Sequence, residues 1–274
     1  MVKIIESFLI TSRETLEASL VIGIVMSYLN KTNNKQFKKT VYYGIIFGIL
    51  FSVLAAIGFS FIAGGFTGKS EALFEGITML IGAGLLTTMI LWMRKQRNIS
   101  FEIEEKVGQR IMQNNFYGHI GIFLIIFTAI IREGVETVIF LNALKYASGL
   151  NIISGLVGIV SAIIVGYLFF IGSKKMKLKY VFSISSILLI FFAAGLTAHG
   201  VHELEEASVI PVGKVLFDIN HVVNEKGVFG SFLKGLFGYN GNPSLLEFSV
   251  WLLYLGIIFF FYFSASHTRL RRTS

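Results

Sequence analysis

Arg13-Glu14-Thr15-Leu16-Glu17 recurs as Arg132-Glu133-Gly134-Val135-Glu136, each copy near the middle of a long apolar stretch. An ionisable side chain at bilayer depth costs about 2.5–3.5 kcal/mol on insertion scales, so six left unpaired would cost on the order of 15–20 kcal/mol. A chain that carries this load twice, in one R-E-x-x-E spelling, has a use for it. On a helix turning about 100° per residue, the two glutamates of a copy lie about 60° apart, and the arginine and second glutamate about 40° apart. Each helix therefore offers two carboxylates and one guanidinium on a single face: Glu14, Glu17 and Arg13 in one copy, Glu133, Glu136 and Arg132 in the other.

Two such faces opposed would gather four carboxylates. Carboxylate oxygens suit hard cations such as magnesium, calcium, manganese and ferric iron. The chain has no Cys, which removes thiolate metal sites. The arginines neutralise part of the empty site, and a proton shared between coupled glutamates would be released on metal binding. Four carboxylates and two guanidiniums sum to −2, so a divalent ion brings the site to zero and a trivalent ion to +1, and charge counting leaves the ion open. The rival reading makes each Arg–Glu pair a buried staple between helices. A staple needs one Glu per Arg, and here a second Glu is supplied each time. The pattern reads as a membrane transporter with a cation site.

Composition agrees with a membrane setting. Of 274 residues, 54% are hydrophobic and only 15% charged, with a mean hydropathy of +0.72; soluble domains carry about 25% charged residues. Seven spans of the length a bilayer core demands run roughly over residues 4–29, 40–63, 72–93, 118–144, 152–172, 181–202 and 245–264. The first has no basic n-region or small-residue cleavage site and is not expected to be a signal peptide.

Basic residues set the orientation. Lys31, Lys35, Lys38 and Lys39 follow the first span, and Arg94, Lys95, Arg97, Lys106 and Arg110 the third. Lys174, Lys175, Lys177 and Lys179 follow the fifth, and Arg269, Arg271 and Arg272 end the chain. Only Lys3, Lys69, Lys145, Lys214, Lys226 and Lys234 fall on the other side. The positive-inside rule then places the N-terminus outside and the C-terminus in the cytoplasm. The net charge of +8 is thereby a topology signal and not a nucleic-acid footprint.

The two motifs are 119 residues apart with three spans per unit. Three is odd, so the first and fourth helices run antiparallel, as in an inverted-topology repeat. Gly82-Ala83-Gly84-Leu85-Leu86-Thr87 is echoed in Phe192-Ala193-Ala194-Gly195-Leu196-Thr197. The expected fold is an all-α polytopic membrane protein of seven transmembrane helices, an inverted 3+3 repeat plus one extra C-terminal helix. It forms a single permease domain: repeat 1 at about 1–95, repeat 2 at about 116–206, an outer loop at about 207–244 and a seventh helix at about 245–264. Val215–Val223 and Phe229–Phe237 in the outer loop are too short to cross and are expected as interfacial or re-entrant helices.

The two R-E-x-x-E motifs in the first and fourth spans, Glu75-Gly76 in the third, and Gly200-Val201-His202-Glu203 ending the sixth resemble the iron permeases, the fungal high-affinity transporters and their bacterial relatives. The resemblance covers nearly the whole chain. It implies that Glu14, Glu17, Glu133 and Glu136 are iron-translocation ligands, with Arg13 and Arg132 as supporting charges. It also implies iron as transported substrate with no resident cofactor, a place in the cell membrane, and a separately encoded oxidase or iron-delivering partner. The family commonly has Gly in the middle of the motif; Gly134 matches and Thr15 departs.

Other polar residues extend the pattern. His199, His202, Glu203 and Glu206 fall at i, i+3, i+4 and i+7, one stripe at the outer end of the sixth span. With Glu75 they form a candidate access path for the ion. Glu205 lies off that stripe and is expected in solvent, as are Asp218 and His221. Glu102, Glu104 and Glu105 sit among Lys and Arg and read as an amphipathic helix on the membrane surface. Gly44 and Gly48 form G-x-x-x-G, a close-packing signal within the bundle or between subunits of a homo-oligomer. Two rival functions stay open on the residues: a carrier of manganese, magnesium or protons, or an intramembrane metalloenzyme. Against an enzyme, the motif is Glu-x-x-Glu and lacks the Glu-x-x-His pair of carboxylate di-iron bundles.

Overall fold

The computed structural model describes residues 2–95, 99–112, 116–171, 178–225 and 227–270. Among them the chain is all-α: α1 (Val2–Lys31), α2 (Lys38–Ala63), α3 (Lys69–Lys95), α4 (Ile99–Met112), α5 (Phe116–Ala147), α6 (Ile152–Ile171), α7 (Leu178–Glu206), α8 (Val228–Phe237) and α9 (Leu245–Leu270). The only β feature among the described residues is an isolated antiparallel bridge, Val215–Ser244.

Among the described residues, three segments are long and apolar enough to cross a membrane: Lys35–Ala63, Lys69–Trp92 and Ser185–Glu206. Shorter apolar segments, Ile152–Leu168 and Leu245–Phe261, lie in α6 and α9. α1 and α5 have 30 and 32 residues, about 45 Å of helix at 1.5 Å per residue, and both carry a charged motif. α2 is apolar all round and leaves Tyr42, Phe47, Leu50, Ile57 and Phe61 exposed, the signature of a helix solvated by lipid. This is a helical membrane protein.

α1 packs on α6, α2 on α5, α3 on α7, and α1 crosses α5. Small residues make the close contacts. A Cβ on Gly44 or Gly48 of α2 would stand 2.9 or 2.8 Å from the Cβ of Ile126 or Ile130 of α5, so the G-x-x-x-G face is spent inside the bundle. Gly158 of α6 is likewise filled by Thr11 and Phe8 of α1, and the Thr11 hydroxyl reaches the Gly155 carbonyl at 2.9 Å. One apolar core joins α3, α5, α7 and α9 around Leu86, Phe140, Ile190 and Leu196; a second joins α1, α2, α4 and α5 around Leu29, Phe37, Val107 and Ile122.

The acidic–basic segment expected at the membrane surface is α4, seated through Val107. The segment over 207–244 departs from expectation. Val228–Phe237 is a helix, but Val215–Val223 is not. Its backbone donors go across to a returning strand-like segment, Leu216 N–H to Pro243 and Ile219 N–H to Gly241, so they are unavailable for helical bonds. Of the residues used to orient the chain, Arg97, Lys174, Lys175, Lys177, Lys226, Arg271 and Arg272 lie outside the described ones, as does Gly172 of the fifth expected span.

Candidate metal centre

The α1–α5 crossing carries both motifs. Within each helix the arginine folds onto the glutamate one turn on: Arg13 Nε lies 3.3 Å from Glu17 Oε1, and Arg132 Nε lies 2.9 Å from Glu136 Oε1 and 3.8 Å from Glu133 Oε1. Across the crossing, one carboxylate oxygen each from Glu14, Glu133 and Glu136 lie within 4.8 Å of one another. Glu17 sits beside this group, held by Arg13.

Glu14 is 2% exposed and Glu133 8%. Both oxygens of Glu14 and Oε2 of Glu133 are buried with no hydrogen-bond partner. Buried polar atoms are ordinarily partnered, and leaving a carboxylate without a donor is among the more expensive things a fold can do. The arrangement suits a positive guest held by oxygen alone.

The two arginines are not equivalent. Arg13 is 2% exposed, whereas the Arg132 side chain is 48% exposed and stacks over Trp92 of α3, 5.3 Å from the ring centroid. The difference is local: Arg132 of α5 lies against an aromatic ring, whereas Arg13 of α1 is packed within the bundle.

The residues of the expected access path divide. His202 Nε2 lies 3.3 Å from Glu206 Oε1 on its own helix, and its Nδ1 lies 2.6 Å from Glu247 Oε1 at the start of α9. Glu203 and the half-buried Glu75 approach each other across Gly76, whose added Cβ would meet the Glu203 Cβ at 3.1 Å. His199 turns away, its Nδ1 3.1 Å from the Gly195 carbonyl of its own helix. Asp218 and His221 are exposed.

Glu205 is not in solvent. It is 3% exposed and accepts from the Gly213 N–H at 2.9 Å and the Ser244 hydroxyl at 3.2 Å, because the loop after α7 folds back over it. Glu247, also 3% exposed, escapes sequence reasoning altogether. Its one signal is Ser244-Leu245-Leu246-Glu247, an S-x-x-E capping box, and Ser244 Oγ does accept the Glu247 N–H at 3.1 Å. That signal marks a helix start and says nothing of burial.

Fold and site together define a helical membrane protein with acidic groups buried between crossed helices. The chain belongs to the iron permease FTR1 family, which matches residues 4–272. It is 32% identical over 253 residues to the ferrous iron permease EfeU of Escherichia coli O6:K15:H31 (strain 536 / UPEC), covering 90% of this chain and 91% of that protein. It is 32% identical over 260 residues to the ferrous iron permease EfeU of Yersinia pestis, covering 93% and 92%. No solved structure matches.

Proposed function

We propose that this chain imports iron across the cytoplasmic membrane through a site built from Glu14, Glu17, Glu133 and Glu136, with iron as cargo and no resident cofactor. The observation that carries the reading is the meeting of Glu14 and Glu133 at the α1–α5 crossing with three buried oxygens lacking donors. Arg13 and Arg132 offset the charge of the unloaded site and hold Glu17 and Glu136 in place. Glu75, His202, Glu203 and Glu206 line the way in from outside, while the His199 ring is turned to the Gly195 carbonyl of its own helix. Ferrous iron is the proposed form, since the relatives carry that name.

Seven spans, N-terminus outside, form the carrier as an inverted repeat over about 1–95 and 116–206, with the 207–244 loop and the seventh helix appended. Two features support this. α1 packs on α6 as α2 packs on α5, and Thr11 and Ile130, separated by the motif offset of 119, each press on a glycine of the other unit's second helix. Alternating exposure of the site by rocking of the two units would move the ion. An oxidase or iron-delivering protein supplies it, and the exposed apolar face of α2 suits lipid or a second copy of the chain.

Glu14→Ala and Glu133→Ala should each abolish uptake of labelled iron into proteoliposomes while leaving the protein in the membrane. Normal uptake by both would overturn the reading. Excess manganese or magnesium should leave iron uptake intact; equal competition would reassign the cargo to another hard cation.

A further inference from the structure

We propose that His202, Glu205 and Glu247 form a second metal site, separate from the α1–α5 crossing, that binds a divalent transition-metal ion through one nitrogen and two carboxylate oxygens. One ligand atom from each of the three lies within 4.8 Å of the others. They come from the end of α7 and the start of α9, and the two glutamates are each 3% exposed.

The surrounding hydrogen bonds aim these groups in the way a metal site requires. Ligating histidines ordinarily donate their other ring N–H to a carboxylate, and ligating carboxylates are themselves held by donors. Here the Nε2 side of His202 faces Glu206 Oε1 at 3.3 Å, which leaves Nδ1 for an ion. Glu247 Oε2 accepts from the Asn240 amide at 2.7 Å, turning Oε1 toward His202. Glu205 is pinned through Oε1 by Gly213 and Ser244, and its Oε2 accepts no hydrogen bond among the described residues. Each of the three thus has an atom fixed by the protein, and one ligand atom of each lies within reach of the other two.

An ion about 2.0–2.2 Å from each donor needs ligand atoms about 3–3.5 Å apart. The triad meets that by drawing in the wider pairs and opening the 2.6 Å His202–Glu247 contact slightly, the ion replacing the proton between them. Imidazole with carboxylate selects a divalent transition metal over magnesium or calcium, unlike the oxygen-only group at the crossing. A station of this kind would capture the ion before it descends; that role depends on the transport route proposed above, whereas ion binding does not.

Untagged protein in nanodiscs, loaded with Mn2+, tests the site by pulsed EPR and by counting bound ions. Wild type should show 14N coupling, and the Glu14→Ala/Glu133→Ala double variant should keep it. His202→Ala, whose fold is checked by its melting curve because it strips the buried Glu247 of a partner, should lose the coupling and bind one ion fewer per chain. Asn240→Ala, which removes only the donor orienting Glu247, should weaken Mn2+ at the nitrogen-ligated site about 10–100-fold. Absence of 14N coupling in wild type, its survival in His202→Ala, or its loss in the double variant would overturn the proposal. Failure of the crossing site would instead appear as unchanged nitrogen-free Mn2+ signal in the double variant.

Discussion

Gly76 of α3 and Gly200 of α7 meet backbone to backbone: a Cβ on Gly76 would stand 2.9 Å from the Gly200 carbonyl oxygen, and one on Gly200 would stand 3.1 Å from that of Gly76. This contact sets the spacing between the helices that bear Glu75 and Glu203. Backbone cannot swing aside as a side-chain tip can, so Gly76→Ala must push the helices apart. Overpacking of this kind costs about 1–3 kcal/mol, and thermal unfolding in detergent should register it as a lower midpoint. Gly84→Ala on the same helix meets nothing within 4 Å and gains helix propensity of up to about 1 kcal/mol, so its midpoint should hold or rise. Equal loss in both variants would deny the α3–α7 contact its importance.

The two motif arginines should respond differently to removal. Arg13 is 2% exposed and sits 3.3 Å from Glu17; Arg13→Ala strands buried carboxylates, and breaking a buried pair costs about 3–5 kcal/mol. Arg132 is 48% exposed, so its removal opens no closed cavity and should cost less than that of Arg13. Arg132→Ala should therefore yield well-folded protein. Size-exclusion profiles and melting curves of the two variants measure the gap, and identical losses would contradict the difference in burial.

Much of this was legible in the residue pattern, for a physical reason. Helical periodicity places Arg13 over Glu17 and Arg132 over Glu136 within one segment, and no tertiary knowledge is needed to see it. The same holds for α4, whose charge alternation is local. What the pattern could not carry were groups whose surroundings come from far along the chain. Glu205 is buried by Gly213 and Ser244, and Glu247 by His202 and Asn240, all brought by a loop that returns on itself. Val215–Val223 has helical apolarity, yet its N–H groups find Pro243 and Gly241 first. Trp92 beside Arg132 is likewise a cross-helix fact.

The motif's central residue differs between copies, and the surroundings explain it. A Cβ on Gly134 would run into the Ser52 side chain of α2, whereas Thr15 is only half-buried. Gly134→Ala should destabilise the protein by about 1–3 kcal/mol, and adding Ser52→Gly should recover most of that loss, since contacting positions are strongly non-additive. Thr15→Gly should cost no more than the propensity difference, below about 1 kcal/mol. A double-mutant cycle on melting midpoints checks the coupling; additive losses at 52 and 134 would refute it.

Glu14 and Glu133 should trade stability for transport. With no other donors, they must repel one another or share a proton when the site is empty, and an unsatisfied buried polar group costs about 1–3 kcal/mol, more when charged. Glu14→Gln removes one charge and supplies an amide donor that a neighbouring carboxylate can accept. Ion-free Glu14→Gln and Glu133→Gln should therefore melt above the wild type while failing to take up iron. Saturating ferrous iron should reverse the ranking: an ion that binds only the folded state stabilises it by about 2.7 kcal/mol at a hundredfold excess over Kd, and only the wild type keeps the full ligand set to receive it. If both variants melt lower without iron, the carboxylates serve the fold as structural partners. If iron raises their melting midpoints as much as it raises the wild type's, the ion is held elsewhere.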